Sequence, residues 1–238
     1  MTMTITKLKE LVLDILLPKF CVCKREGRYL CADCTLFMSE VEFSCPVCGE
    51  AEIFGRRHNG CKAKNNPDGL VSFWSYEGVA KQLVLKAKYN SLIDIPKEFV
   101  DYGLLTVQEN KHRFSEFTGF LFDEKTVISY VPLHKKREVK RGFNQSKIAA
   151  EHLAKRINKK AVTLLKREKE TKSQTKLNKK ERFLNMKDAF SFVYSKGVEQ
   201  VVLIDDVWTS GATAKECTRV LKENEVKKIW ILTLTKTS

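Results

Sequence analysis

The 238-residue chain contains no hydrophobic run long enough to cross a bilayer. Its longest apolar stretch near the start, LVLDILL from Leu11 to Leu17, is interrupted by Asp14, and a spanning helix needs about 20 apolar residues. No small-residue cleavage site follows it, which argues against a secretory signal and makes a cytoplasmic location the expectation. Internal repeats and low-complexity tracts are also missing, while a hydrophobic fraction of 43% suffices for a proper core; neither a repeat array nor a disordered chain fits. Acids are in deficit, 29 against 43 Lys and Arg, leaving a net charge of +14. That balance favours polyanionic partners, either nucleic acid or a phosphorylated metabolite, although many lysines lie among acids and serve as solvated surface.

Cysteine is absent from most of the chain: Cys217 stands alone, and the other seven lie between Cys21 and Cys61. This is not the distribution of a secreted disulfide framework, and tight pairs at short spacing read as metal ligands. The order is Cys21-x-Cys23, seven residues, Cys31-x2-Cys34, ten residues, Cys45-x2-Cys48, nine residues, then His58-x2-Cys61. Seven thiols and one imidazole make two sets of four, and N/S ligation with no open position suits structural zinc. Cys21-x-Cys23 is one residue shorter than the usual knuckle, which leaves open whether both ligate. His58 reads either as a ligand or as a loop histidine, so one ion or two can be accommodated. Cys217 falls with Ala214, Val220 and Leu221 on one helical face, as a core thiol does.

Leu8, Leu11, Val12, Ile15 and Leu16 are at helical spacing between Ile5 and Leu17, and Pro18 ends the pattern. From Phe20 to about Asp68 the chain is cysteine-rich and too small for a core of its own. The turn chemistry of NNPDG (Asn65 to Gly69) places a boundary between a module of residues 1–68 and a domain of residues 69–238. In the second part, strands are expected at LVSFWSY, KTVISYVPLH, AFSFVYS, Val201–Ile204 and KIWILTLT. Helices are expected at GVAKQLVLKAKY, about Pro96–Val107, about Asn144–Ile157 and about Ala212–Glu223. The final strand, helix and strand form a βαβ unit, so the fold class is α/β with parallel neighbouring strands. Phe73, Trp74, Tyr76 and Tyr89 are expected in the core or a pocket wall.

VVLIDDVWTSGAT (Val201 to Thr213) runs a buried strand into two acids and then into a small-residue turn. Ligands of open parallel sheets bind beyond the carboxyl ends of the strands. There Asp205 and Asp206 can accept hydrogen bonds from the paired hydroxyls of a ribose. Thr209, Ser210, Gly211, Ala212 and Thr213 supply hydroxyls and N–H groups at a helix N-terminus, which suits a phosphate. Trp208, within this turn, is expected to be exposed and able to flank a base. A bland alternative is an ordinary strand, turn and capped helix. After Pro132, Lys135, Lys136, Arg137, Lys140 and Arg141 form a basic loop able to pair with pyrophosphate, with Gly142 for a tight turn and Asn144 as a helix cap. Lys166 to Lys187 is very basic and reads either as a mobile loop over the pocket or as a segment that tracks a nucleic-acid backbone, with Arg167, Gln174, Lys176, Arg182 and Asn185 as its candidate residues.

VVLIDDVWTSGAT resembles the phosphoribosyl-pyrophosphate (PRPP) motif of the type I phosphoribosyltransferase fold. VPLHKKREVKRGFNQS (Val131 to Ser146) and QTKLNKKERFLNMKDAF (Gln174 to Phe190) resemble signatures of one branch, the ComF family of competence-related proteins. The cysteine-rich segment is similar to that family's zinc-ribbon region, so the resemblance spans nearly the whole chain. Three positions depart from the pattern: Ser210 replaces a usual Thr, Lys64 stands where a fourth thiol is common, and the first cysteine pair is contracted.

The resemblance implies a type I phosphoribosyltransferase-like parallel sheet flanked by helices, with a small N-terminal zinc-ribbon module. It also implies PRPP as ligand with Mg²⁺ at its pyrophosphate, and one or two structural zinc ions. Asp205 and Asp206 would hold the ribose hydroxyls, Thr209–Thr213 the 5-phosphate, and Lys135, Arg137 and Arg141 the pyrophosphate. Single-stranded DNA and DNA-uptake proteins are the implied partners. Three roles stay open: a factor handling incoming single strands, an active PRPP-dependent transferase of nucleotide metabolism, and a PRPP sensor without turnover. No residue presents itself as a covalent nucleophile, so catalysis would rest on positioning and charge stabilisation.

Overall fold

The computed structural model describes residues 18–63, 65–171, 179–194 and 197–237. The helical pattern over Ile5–Leu17, Lys64, and Gln174 and Lys176 of the basic segment lie outside these residues. Six strands are described: β1 (Gly69–Ser75), β2 (Thr126–Tyr130), β3 (Leu165–Arg167), β4 (Phe190–Phe192), β5 (Gln200–Trp208) and β6 (Lys228–Lys236). Four of them form a parallel sheet of order β1-β6-β5-β2, while β3 and β4 pair as an antiparallel ribbon. The helices are α1 (Ala32–Thr35), α2 (Gly78–Tyr89), α3 (Asp94–Glu109), α4 (Ser115–Phe122), α5 (Lys135–Arg141), α6 (Gln145–Arg156), α7 (Lys179–Met186) and α8 (Ala212–Glu223).

The sheet is covered on both faces, which explains why its central strands are continuous apolar runs rather than alternating ones. Successive side chains still point to opposite faces. Val202, Ile204 and Leu232 join a core with Leu83 of α2, Phe99 of α3 and Leu153 of α6. Val201, Leu203 and Ile231 join a second core with Ala214, Cys217 and Leu221 of α8. Cys217 is therefore the expected core thiol, and Phe73 and Trp74 are core residues. The α/β class, the parallel sheet and the flanking helices are as expected for a phosphoribosyltransferase-like domain.

Apolar residues of the cysteine-rich segment complete the first core, where Leu30, Met38 and Phe43 pack in one cluster with Trp74, Phe99 and Phe114. That segment also covers the outer edge of β1, through isolated antiparallel bridges Glu40 to Trp74 and Arg56 to Gly69. An open edge would otherwise present unpaired N–H and C=O groups. Glu98 of α3 fastens the contact by accepting N–H bonds from Tyr29 at 3.2 Å and Leu30 at 2.7 Å. Burial raises the Glu98 pKa against the pull of those two donors. The packed core thus continues across Asn65–Gly69, because a segment this small gains burial only by leaning on a neighbour.

Four features differ from expectation. Strand β5 does not stop at Ile204 but runs to Trp208, since β6 continues beside it and pairs Asp205 with Thr233 and Trp208 with Lys236. The basic stretch after Pro132 is a helix rather than a loop: the His134 ring accepts the Lys136 N–H at 3.4 Å, and Gly142 ends it at φ 82°. A left-handed C-terminal residue of this kind favours glycine. The basic segment Lys166–Lys187 is anchored at both ends, with Arg167 in strand β3 and Met186 of α7 fully buried. Helix α4 was not anticipated, although Phe117 and Leu121 lie on its buried face. Among the described residues no helix is long and apolar enough to cross a membrane.

Candidate functional site

The fold gathers the eight metal-type ligands into two sets, Cys21, Cys23, Cys31, Cys34 and Cys45, Cys48, His58, Cys61, with donor atoms in each set within 4.8 Å of one another. Both members of the contracted pair join the first set, and His58 joins the second. Four thiolates at about 2.3 Å from one tetrahedral ion stand about 3.8 Å apart. Cys23 Sγ to Cys31 Sγ is 3.7 Å, and Cys48 Sγ to His58 Nδ1 is 3.4 Å. Nε2 of His58 donates to the Ala51 carbonyl at 3.2 Å, which leaves Nδ1 unprotonated toward the sulfurs.

N–H groups of Cys31 and His58 point at Cys21 Sγ and Cys45 Sγ, at 3.3 and 3.4 Å. Burial and the neighbouring thiols push Cys34 up to about 12 and Cys61 up to about 11. Burial also opposes ionisation of Cys45, but the N–H donors of Cys48, His58 and Val47 prevail and hold it at about 7. Four close thiols cannot all ionise without a cation among them. The donor sets therefore fit one divalent, thiophilic ion each, as in a zinc-ribbon module.

A cleft of about 270 Å³ opens at the carboxyl ends of the parallel strands. Asp205, Asp206, Thr209, Gly211, Ala212 and Thr213 form one side of it, and Arg137, Arg141, Arg167 and Arg182 contribute the cations. Strand β5 extends through the acids, and both carboxylates line the cleft. Asp205 accepts from Ser146 Oγ at 3.0 Å and from the Asp206 N–H at 2.9 Å. Asp206 pairs with Lys88 of α2 at 2.8 Å. Burial, reinforced by the neighbouring Asp206 carboxylate, raises the Asp205 pKa to about 7.

The cationic side is crowded in the complementary sense. Arg137 and Arg141 lie one helical turn apart on α5 and both face the cleft, whereas Lys135, Lys136 and Lys140 are exposed. Arg137 donates to the Thr171 carbonyl, and Arg167 to the Thr171 hydroxyl. Burial lowers the pKa of both guanidiniums, that of Arg167 to about 10, with the adjacent arginine second in each case. Arg167 is 8% exposed, and its buried Nε has no hydrogen-bond partner among the described residues. Desolvated like charges with incomplete partners offer an anion favourable contacts.

Lys135 and Ser210 do not line the cleft; Ser210 Oγ instead accepts the Ala212 N–H at 3.4 Å, inside the turn. Trp208 is buried rather than exposed, because extension of β5 tucks its ring beneath the turn. Gly211 sits at φ 73°, and a Cβ there would come within 2.7 Å of the Trp208 ring. Gly211→Ala is accordingly expected to destabilise the fold by about 1–3 kcal/mol, read as a lower denaturant midpoint with an unchanged slope. Lys88, Ser146 and Leu85 are among the cleft residues missed in the sequence. Helical periodicity made α2 legible, but its face toward the cleft depends on how α2 packs against the sheet. Tyr76 and Tyr89 line the cleft, as a pocket-wall reading expects.

No protein-family model matches the chain. Among curated proteins it is 28% identical over 208 residues to Competence protein F of Haemophilus influenzae, covering 85% of this chain and 88% of that one. It is 27% identical over 214 residues to DNA utilization protein YhgH of Escherichia coli K12, covering 87% and 90%. It is 27% identical over 189 residues to Competence protein ComFC of Bacillus subtilis, covering 75% and 71%. Relatives of these names, aligned along most of its length on an α/β sheet preceded by two four-ligand clusters, support the ComF family of competence-related proteins as the one this chain is similar to.

Proposed function

We propose that this chain is a PRPP-binding protein serving DNA uptake or DNA utilisation, the roles that the names of its relatives carry. The observation that carries the ligand is the meeting, in one cleft, of the β5 carboxylates, the N-terminus of α8 and four arginines. Asp205 and Asp206 accept the ribose hydroxyls. Thr209, Gly211, Ala212 and Thr213 hold the 5-phosphate, with Ser210 shaping the turn. Arg137, Arg141, Arg167 and Arg182 take the pyrophosphate by bidentate hydrogen bonds. Mg²⁺ carried by the pyrophosphate would lower the cost of its developing charge. The two thiol clusters hold structural zinc.

The same arrangement suits departure of pyrophosphate from ribose C1, with arginines stabilising the leaving group and a carboxylate pair beside a cationic sugar. Transferase and sensor readings therefore share one binding step. Calorimetry with PRPP and Mg²⁺ is expected to show saturable heat on the wild type and none on Arg137→Met/Arg141→Met. A wild type that gives no heat would refute the assignment. Release of pyrophosphate with a nucleobase acceptor present would identify the transferase, and binding without release the sensor.

A role with single-stranded DNA is favoured by the net charge of +14 and by the exposed lysines of α5 beside the cleft. Binding of a labelled single strand is expected to weaken linearly on a log–log salt plot. Binding absent at low salt as well would remove single-stranded DNA as a direct partner.

A further inference from the structure

The arginines of the cleft are fixed by partners of their own: Arg137 by Thr171, Arg167 by Thr171 and Met186 Sδ, and Arg141 by Gln145 Oε1 at 3.2 Å. Lys88 is different. Its ammonium pairs with Asp206 at 2.8 Å, so the cation's partner is a group that the ribose hydroxyls need. Both side chains are enclosed, at 18% and 17% exposure, so breaking the pair without a replacement is costly.

The turn that carries Lys88 is stitched to the pyrophosphate side of the cleft. Gln145 Nε2 donates to the Ala87 carbonyl at 3.3 Å, and Ser91 Oγ donates to the Arg141 carbonyl at 2.8 Å. The C-terminal end of α2 and the N-terminus of α6 thus form one wall, with Lys88 reaching from it toward the carboxylates. A lysine is a point charge on a flexible four-carbon stem, able to exchange oxygen partners where a guanidinium fork is held.

We infer that Lys88 is the specificity-determining residue for a diphosphate at ribose C1: it guards Asp206 in the ligand-free chain and transfers to the diphosphate when PRPP enters. The inference rests on the phosphoribosyl reading of the cleft. A ligand with a diphosphate compensates the lost Lys88–Asp206 pair with a new one. Ribose 5-phosphate displaces the ammonium from Asp206 and offers it nothing at C1. Lys88 thereby discriminates against the monophosphate, which lacks the leaving group.

The consequence is a pair of effects of opposite sign. Calorimetry is expected to show PRPP with Mg²⁺ binding Lys88→Met about tenfold more weakly or worse, and ribose 5-phosphate binding it several-fold more tightly than wild type. Lys88→Arg keeps the charge but holds its partner, and is expected to lose less PRPP affinity than the methionine variant without the gain for ribose 5-phosphate; where the methionine variant fails to fold, Lys88→Gln takes its place. A neutral variant that loses both ligands alike would make Lys88 a merely structural residue and overturn the inference. Unchanged affinities for both would overturn it as well. A wild type that binds neither ligand would instead refute the phosphoribosyl reading itself, and the role of Lys88 with it.

Discussion

Asp205→Asn is expected to abolish measurable PRPP binding while making the ligand-free protein more stable above neutral pH. The first effect follows from charge. An amide in place of the carboxylate removes the anionic acceptor for a ribose hydroxyl, and a hydrogen bond to a charged group contributes about 1.5–3 kcal/mol. The second follows from proton linkage. Burial and the adjacent Asp206 raise the Asp205 pKa from 3.8 to about 7. Between those values the folded chain binds more protons than the unfolded chain. The contribution of this group is therefore fully present below pH 4 and is lost as pH rises through 7.

Asparagine has no such dependence, and its side-chain oxygen can still accept from Ser146 and from the residue 206 N–H. Melting followed at pH 5 and pH 8 should show wild type losing on the order of 2 kcal/mol more than the variant over that interval. Parallel pH profiles for the two proteins would show that Asp205 ionises in the folded state as easily as in the unfolded one. On the proposed reading, the buried Asp205 carboxylate is a case of function held against stability.

Removal of metal should have the larger structural effect. The protein is expected to hold two zinc ions per chain by elemental analysis, with four donors apiece from the two clusters. Stripping them with a strong chelator leaves thiols whose ionisation is opposed by burial and by one another. The damage would not stay local, because Leu30, Met38 and Phe43 share a core with Trp74 and Phe99 and the same segment shields the edge of β1. A drop in melting temperature on the order of 10 °C is expected, reversed by added zinc. Cys31→Ser, at a buried ligand, should remove one ion and most of this stability. A metal-free protein that melts with the native one would reduce the clusters to ornaments of the fold.

Much of this was legible in one dimension. Val201–Ile204 and Ile229–Leu232 read as buried parallel strands because both faces of the sheet are covered, which requires apolar side chains at every position. The eight Cys and His positions read as candidate ligands because short chelating spacings are a local property of the backbone; that Cys21, Cys23 and His58 all join a set of four came from the fold. Other features were out of reach for definite reasons. Strand β5 extends through Asp205 and Asp206 only because β6 runs beside it, a pairing between residues far apart in sequence. Lys88 gave no signal among 43 Lys and Arg until α2 packed beside the end of β5. Trp208 looked like a turn residue and became a buried one when the strand lengthened.

The sequence by itself determined the α/β class, the candidate metal-ligand spacings and the two acids placed before a small-residue turn, since each depends on periodicity or spacing within a short window. Only the tertiary structure decided that Asp205 meets Ser146, that the helix carrying Arg137 and Arg141 faces the acids, and that Lys88 occupies Asp206. The physical reason is range: propensity and pattern act over a few residues. The charges that make a cleft come from segments far apart in sequence, as Lys88 and Asp206 are, brought together by burial of apolar surface that has no chemistry of its own.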